Sequence, residues 1–404
     1  MVILTSDAFS LFENPRATEA ADYAEDGRNE ILGLAAFAAA KSEIASWPGF
    51  APTPLRPLSG LARAAGIGGL FYKDEASRFG LGSFKALGGA YAVFRLLRQR
   101  IGSAVTAADL ASGRYADRLA GITVTCATDG NHGRSVAWGA RTFGCASKIY
   151  VHETVSQGRC DSIAAYGAEI RRVAGTYDDA VRQAASDAAA QGWHVVSDTS
   201  YAGYTDIPRD VMQGYAVMVD EALGQLPDGV LPTHVFVQGG VGGLAAAVCA
   251  HLWETLGTKR PLFIVVEPDR ADCLYRSAVA GHPVAAEGDL DTIMAGLACG
   301  EPSLLAWKIL EPGADAFVTI TDGAAMESMR LLADGAHGDP PLVAGESAVA
   351  GLAGLLLAAS NPDARARLGL SPDSVVLVFG TEGATDPEVY RQIVGRWPEE
   401  VVAP

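Results

Sequence analysis

The sequence predicts an α/β protein built as two interleaved domains, and three observations predict it. The chain has 404 residues, more than the roughly 250–300 at which a single hydrophobic core stops growing. Apolar, β-branched runs alternate with helical patterns along most of its length, as in a sheet whose strands are joined by helices. Those runs are apolar on both faces, which suits strands buried in a parallel sheet.

In chain order the expected strands are 69–73 (GLFYK), 122–127 (ITVTCA), 147–152 (SKIYVH), 169–174 (EIRRVA), 194–198 (HVVSD), 233–238 (THVFVQ), 262–267 (LFIVVE) and 375–379 (VVLVF). Between them lie amphipathic stretches. Tyr177 to Gln191 is one, alanine-rich, with Gly192 placed to end it in a left-handed cap. A second alanine-rich helix is expected over 244–256. No internal repeat and no Pro/Gly/Ser-rich linker divides the chain, so two domains that share an interleaved chain fit better than two in series.

Composition narrows the function. Hydrophobic residues make up 49% and charged residues 19%, which excludes a disordered chain. Lys+Arg number 31 against 47 Asp+Glu, a formal charge of -16. Such a surface repels phosphate polymers, so neither nucleic acid nor an anionic membrane is an expected partner. No run of about 18 apolar residues occurs, so no membrane span is expected. The opening segment MVILTSDAFSLFENPRATEA lacks the basic-then-apolar pattern of a secretory leader, so a cytoplasmic protein is expected. Six cysteines with no CxxC pair fit neither a disulfide scaffold nor a structural zinc site. Cys273 and Cys299 flank two candidate site segments and are expected to lie close together.

Four polar, glycine-containing segments carry the chemistry. In Ser83-Phe84-Lys85-Ala86-Leu87-Gly88-Gly89 a lysine opens a helix, where the positive end of the helix dipole disfavours an ammonium. Partial burial pushes the same way, towards the nucleophilic amine that a Schiff base requires. The bland reading is a surface lysine. Thr128-Asp129-Gly130-Asn131-His132-Gly133 follows a strand at its carboxyl end, where open α/β sheets place ligands. Asn131 could hold a phenolate or carboxylate oxygen; alternatively Asp129 simply caps the next helix and His132 packs. Gln238-Gly239-Gly240-Val241-Gly242-Gly243 offers backbone N–H groups to a phosphate at a helix N-terminus. It also matches a dinucleotide pattern, with Glu267 ending the next strand, and by itself it does not choose between the two. Gly380-Thr381-Glu382-Gly383-Ala384-Thr385-Asp386 could present a hydroxyl to a ring nitrogen. Softer candidates are Asp198, which leads into Thr199-Ser200-Tyr201-Ala202-Gly203-Tyr204, and the small-residue loop 294–303.

Together these blocks carry a resemblance. SFKALGGAY, ATDGNHGRSVAW, SDTSYAGYTDIP, QGGVGGLAAAV, MAGLACGEPS and GTEGATDP, in this order from about Phe71 to Asp386, resemble the diaminopropionate ammonia-lyase family. That family belongs to the fold type II, tryptophan-synthase-β-like group of pyridoxal-phosphate enzymes. The conjunction speaks against a dinucleotide, because a lysine block and a GNHG turn have no role in a Rossmann reductase.

The resemblance implies two three-layer αβα domains with pyridoxal 5'-phosphate in the cleft between them. Residues 1–85 and 193–404 would form the large domain and 86–192 the small one. It makes Lys85 the Schiff-base lysine and Asn131 the contact of the cofactor's phenolic oxygen. Gly239, Gly240, Val241, Gly242 and Gly243 would cradle the phosphate, and Asp129 and Asp198 match the catalytic acids. Ser83 stands where the family often has Asn, and Gly380 where it often has Ser. The second departure opens the choice of ring-nitrogen partner: Thr381 first, Thr385 in reserve.

The implied reaction is α,β-elimination of 2,3-diaminopropionate to pyruvate and ammonia, by a homodimer with no metal. Two carboxylates complement a substrate with two ammonium groups, which favours a diamino acid over a hydroxyamino acid. A serine, threonine or hydroxyaspartate dehydratase would share every cofactor motif. A non-catalytic pyridoxal-phosphate or nucleotide binder is the alternative from another class.

Overall fold

The computed structural model describes residues 4, 8–18, 22–128 and 130–401. The chain divides into two compact units. One comprises Met1–Leu34, Pro52–Ser77 and Met218–Pro404, the other Ala35–Ala51 and Arg78–Val217. The second is wider than the 86–192 that the resemblance implies. It takes in the helical segment 35–51, whose Trp47 ring packs edge-on against Phe94 and Phe143.

The first unit is built on a seven-stranded sheet of β1 (Phe9–Glu13), β2 (Leu55–Pro57), β3 (Gly69–Asp74), β8 (His234–Gln238), β9 (Leu262–Pro268), β10 (Ala316–Ile320) and β11 (Val375–Gly380). Its order is β1-β10-β9-β8-β11-β3-β2. The two edge strands run antiparallel and the five between them are parallel. β8 is buried along all five residues, as its unbroken apolar run requires at the centre of a parallel sheet. The second unit carries a four-stranded parallel sheet of β4 (Thr123–Ala127), β5 (Ala146–His152), β6 (Glu169–Val173) and β7 (His194–Val195), in the order β6-β5-β4-β7.

The helices that matter for the site are α1 (Ala86–Ile101), α2 (Asn131–Phe143), α3 (Tyr177–Gln191), α4 (Asp206–Gln225), α5 (Gly243–Leu256), α6 (Cys273–Ala280) and α7 (Ala350–Ser360). α3 matches its expected span, with Thr176 and Asp179 forming a capping box and Gly192 at φ +71°. α7 is buried almost all round and lies across β8, β9 and β10. No helix among the described residues is long and apolar enough to cross a membrane.

Both sheets contain a point where the strand order reverses. In the small sheet the chain runs from β4 outward to β6, then returns to β7 on the other side of β4. In the large sheet β9 and β10 extend from one side of β8, whereas β11 and β3 extend from the other. Loops leaving the carboxyl ends of the strands beside such a point diverge and leave a crevice for ligand.

Candidate active site

The candidate residues of the second unit gather beside β4 and β7. Lys85 is the N-cap of α1, as its sequence position predicts. Its Nζ donates to Asp198 Oδ2 at 2.7 Å. The same nitrogen lies 5.3 Å from the Phe84 ring centre and 5.6 Å from that of Tyr215. The amine thus meets a carboxylate as well as the apolar surroundings expected for it. Helix packing fixes its height. A Cβ on Gly88 would collide with the Tyr215 ring, and one on Gly89 with Ser135 Oγ of α2, so both neighbours of the lysine block approach closer than any side chain permits.

Asp198 follows β7, which pairs for only two residues and not for the five expected. Side chains take over the strand's work. Val196 N–H donates to Thr125 O at 2.8 Å. His132 Nε2 bonds Val196 O at 2.8 Å, and Tyr204 Oη donates to Val195 O and accepts from Ser197 N–H, both at 2.9 Å. A carbonyl only accepts, so His132 carries its proton on Nε2 and turns Nδ1 towards Asp198 Oδ2, 3.7 Å away. Burial lowers the His132 pKa in spite of that carboxylate. Burial pushes the Asp198 carboxyl up, but the Lys85 ammonium, then His132, outweigh it and hold the group well below the usual range.

Asn131 opens α2. Its Oδ1 accepts from Arg134 at 2.7 Å; an arginine only donates, so Nδ2 is the donor end of the amide. The turn before it is held by Thr128, whose Oγ1 accepts from the N–H groups of Gly130 and Gly133, each at 3.0 Å. Gly130 sits at φ +156° and ψ −82°, outside the regions open to L side chains. Capping is thus done by Thr128. Asp129 lies outside the described residues.

The candidate residues of the first unit follow β8 and β11, which are neighbours in the sheet. The loop 239–243 leads into α5, with Gly240 at φ +61° and Gly242 at φ +98°. A Cβ on Gly239 would lie 2.7 Å from Glu267 Cγ. Among the described residues the N–H groups of Gly240 and Val241 have no acceptor, although they stand at the start of a fourteen-residue helix. Two unsatisfied donors at the positive end of a helix fit a phosphate. Glu267, the acid that a dinucleotide reading would give to a ribose, is fully buried and accepts from the N–H groups of Leu274 and Tyr275 in α6.

Thr381 Oγ1 accepts from Gln238 Nε2 at 2.7 Å, whereas the Thr385 hydroxyl donates to Glu382 Oε2 at 3.3 Å. The departure at Gly380 has a packing reason: a Cβ there would overlap the ring and hydroxyl of Tyr72. Cys273 donates to Gly240 O at 3.5 Å, and a Cβ on Gly240 would lie 3.9 Å from Cys299 Sγ. The two cysteines therefore flank one glycine, and neither is in a disulfide.

Comparison with known proteins gives this geometry its context. The family model "Pyridoxal-phosphate dependent enzyme" matches residues 47–381. The diaminopropionate ammonia-lyase of Escherichia coli K12 is 43% identical over 352 residues, covering 86% of this chain and 88% of that one. The chain belongs to the diaminopropionate ammonia-lyase family. The crystal structure of the holo Escherichia coli diaminopropionate ammonia-lyase superposes with a TM-score of 0.87 at 38% identity, over 99% of this chain and 100% of that one. A second crystal structure of the same enzyme, in complex with an aminoacrylate-PLP azomethine reaction intermediate, gives 0.83 over 97% and 98%. The diaminopropionate ammonia-lyase family is pyridoxal-phosphate-dependent and fold type II, so α/β architecture and cofactor follow for this chain.

Several participants were hidden in the sequence. Arg134 meets Asn131 one helical turn away, Tyr215 meets Lys85 only through the fold, and Tyr204 and Gln238, although inside the quoted blocks, take roles that no motif announces. Tyr204 had a local signal, six residues after Asp198 in the same block. Gln238 and Thr381 are 143 residues apart, and nothing local connects them.

Proposed function

We propose that this chain converts 2,3-diaminopropionate and water to pyruvate and two molecules of ammonia, with pyridoxal 5'-phosphate bound through Lys85. The observation that carries the reading is the Lys85–Asp198 pair at 2.7 Å, in a chain of this family. When bound, the cofactor supplies the electron sink for α-carbon deprotonation. Lys85 holds it covalently, Asn131 donates to its phenolic oxygen, and residues 239–243 hold its phosphate. Thr381 is the ring-nitrogen partner. Thr385 is the weaker candidate because its proton already serves Glu382.

Once a substrate amine takes its place, the Lys85 amine stands beside Asp198, ready to accept or deliver a proton. Asp198 keeps a negative charge next to the arriving ammonium group. Asp129 takes the proton from one antipode and Lys85 from the other. His132 and Tyr204 hold Asp198 where both functions need it. The chain works as a homodimer in the cytoplasm.

The test is ammonia and pyruvate release from D- and L-2,3-diaminopropionate beside serine, threonine and hydroxyaspartate. Diaminopropionate should be preferred for both antipodes. A higher kcat/KM for any hydroxyamino acid would reassign the chain to a dehydratase. A purified protein without visible absorbance after incubation with cofactor would remove the enzymatic reading.

A further inference from the structure

Asn131 opens α2, and Arg134 lies one turn further along the same helix, where side chains three apart meet. Arg134 Nη2 donates to Asn131 Oδ1 at 2.7 Å in a part-buried position. A guanidinium has donors only. Turned over, the amide would set its NH2 group against Arg134, and two donors repel. The backbone cannot rotate instead. Thr128 Oγ1 accepts from the N–H groups of Gly130 and Gly133, each at 3.0 Å, and so pins the chain on both sides of Asn131. What is left to settle is the rotation of the Asn131 side chain, and Arg134 settles it. With Oδ1 drawn towards Arg134, Nδ2 is the end turned away from it. The contact also does more than orient. A charged donor on Oδ1 polarises the amide and strengthens its N–H groups, since hydrogen bonds in a chain reinforce one another. Such donors hold an anionic oxygen more tightly than a neutral one.

We propose that Arg134 is a positioning residue for the cofactor's phenolic oxygen: it fixes the Asn131 amide with Nδ2 as the donor before the cofactor arrives, and so favours the phenolate over the neutral phenol. This rests on Asn131 being the contact of that oxygen. The proton concerned moves between the phenolic oxygen and the nitrogen that Lys85 contributes. A neutral phenol also accepts an N–H bond, so the effect is a shift in a balance, and the charge on the phenolate sets its sign. Without Arg134 the amide can present either end. Its Oδ1 would then accept the phenol proton and pull the balance the other way. Arg134 acts through Asn131 and touches no reacting atom.

The experiment uses the holoenzyme with Arg134→Met, Arg134→Lys, Asn131→Ala and the double variant Asn131→Ala with Arg134→Met. It reads cofactor titration and the ratio of the visible band, from the phenolate with its proton on the Lys85 nitrogen, to the near-ultraviolet band of the neutral phenol. Arg134→Met should lower that ratio severalfold and weaken cofactor binding about tenfold, the scale of one lost hydrogen bond. Arg134→Lys, which also only donates, should restore most of the ratio. Asn131→Ala should lower it at least as far as Arg134→Met, and the double variant should add nothing, because the two side chains act as one unit. An unchanged ratio in Arg134→Met beside a lowered one in Asn131→Ala would overturn the role of Arg134 alone. No change in Asn131→Ala would overturn the assignment of Asn131 itself. A full second loss in the double variant would mean that Arg134 acts by its charge and not through the amide. A fall in apo-protein melting temperature with an unmoved ratio would reduce Arg134 to a structural residue. No substrate enters these measurements, so their outcome stands whichever amino acid the chain consumes.

Discussion

Lys85 meets two demands on one nitrogen. As an ammonium it neutralises the half-buried Asp198 carboxylate; as an amine it forms the link to the cofactor. Lys85→Ala should remove the visible absorbance that borohydride would otherwise fix to the chain, and should abolish turnover. Reduction followed by peptide mapping checks this, and label on another lysine would refute it. Asp129 offers a sharper division. Thr128 accepts from the N–H groups of Gly130 and Gly133 at the start of α2. Asp129→Asn should keep fold and colour yet lose one antipode by about 10²-fold or more, the scale of a missing general base. Separate kinetics on the D and L substrates decide it; equal, small losses would demote Asp129 to a charge contact.

Elements with a long, uniform pattern could be read directly. β11 is apolar throughout, β8 has an apolar centre between His234 and Gln238, and α3 carries both of its own end signals, so their spans needed no tertiary information. β1, β2 and β10 were not anticipated. Two of these are edge strands, and one contains a proline, whose missing N–H an edge tolerates. β7 was expected to run to Asp198, but its ladder stops at Val195. His132 and Tyr204 continue the support from outside the strand, and no period in HVVSD encodes that. The same contrast holds for the site: blocks with contiguous glycines were legible, while partners supplied by distant segments were not. The glycine loop gives a test at this scale. Gly240 is better suited to it than Gly242, because a Cβ at 240 would meet nothing nearer than 3.6 Å whereas one at 242 would lie 3.1 Å from Ala306 Cβ. Gly240→Asp should cost about 1–2 kcal/mol in stability for its left-handed backbone. It should weaken cofactor binding by more than tenfold, since a carboxylate would face the phosphate at a helix start. Cofactor titration beside thermal melting of the apo-protein separates the two, and unchanged affinity would move the phosphate site elsewhere.

For the whole molecule, net charge and buried acids bear on stability against pH. Burial pushes Glu267 up to about 8, against the N–H groups of Leu274 and Tyr275, which pull it down. Burial raises Asp210 to about 6, with Arg95 and Arg209 opposing. A carboxyl raised on folding binds more protons folded than unfolded. Its stabilisation is complete below the unfolded pKa and is lost as pH rises through the folded one. Asp198 is depressed, so its contribution is present above its unfolded value and fails only in acid. Unfolding free energy should therefore decline between about pH 4.5 and 8, with Asp210 contributing over the lower part and Glu267 over the whole window. One group sets a limiting slope of about 1.4 kcal/mol per pH unit. The chain's formal charge of -16 adds a broad decline of the same sign, since self-repulsion grows as carboxyls ionise. Glu267→Gln removes the titration, because glutamine has no proton to lose; it also removes one of the two oxygens that accept from the α6 N–H groups, a cost that does not vary with pH. Denaturant unfolding of holoenzyme and variant at matched cofactor should give a variant that is less stable at acid pH, by the cost of the lost acceptor. Towards pH 8 the parent should decline more steeply than the variant. Parallel curves across the window would mean that the helix-α6 N–H groups hold Glu267 ionised throughout, and that the decline belongs to the surface charge alone.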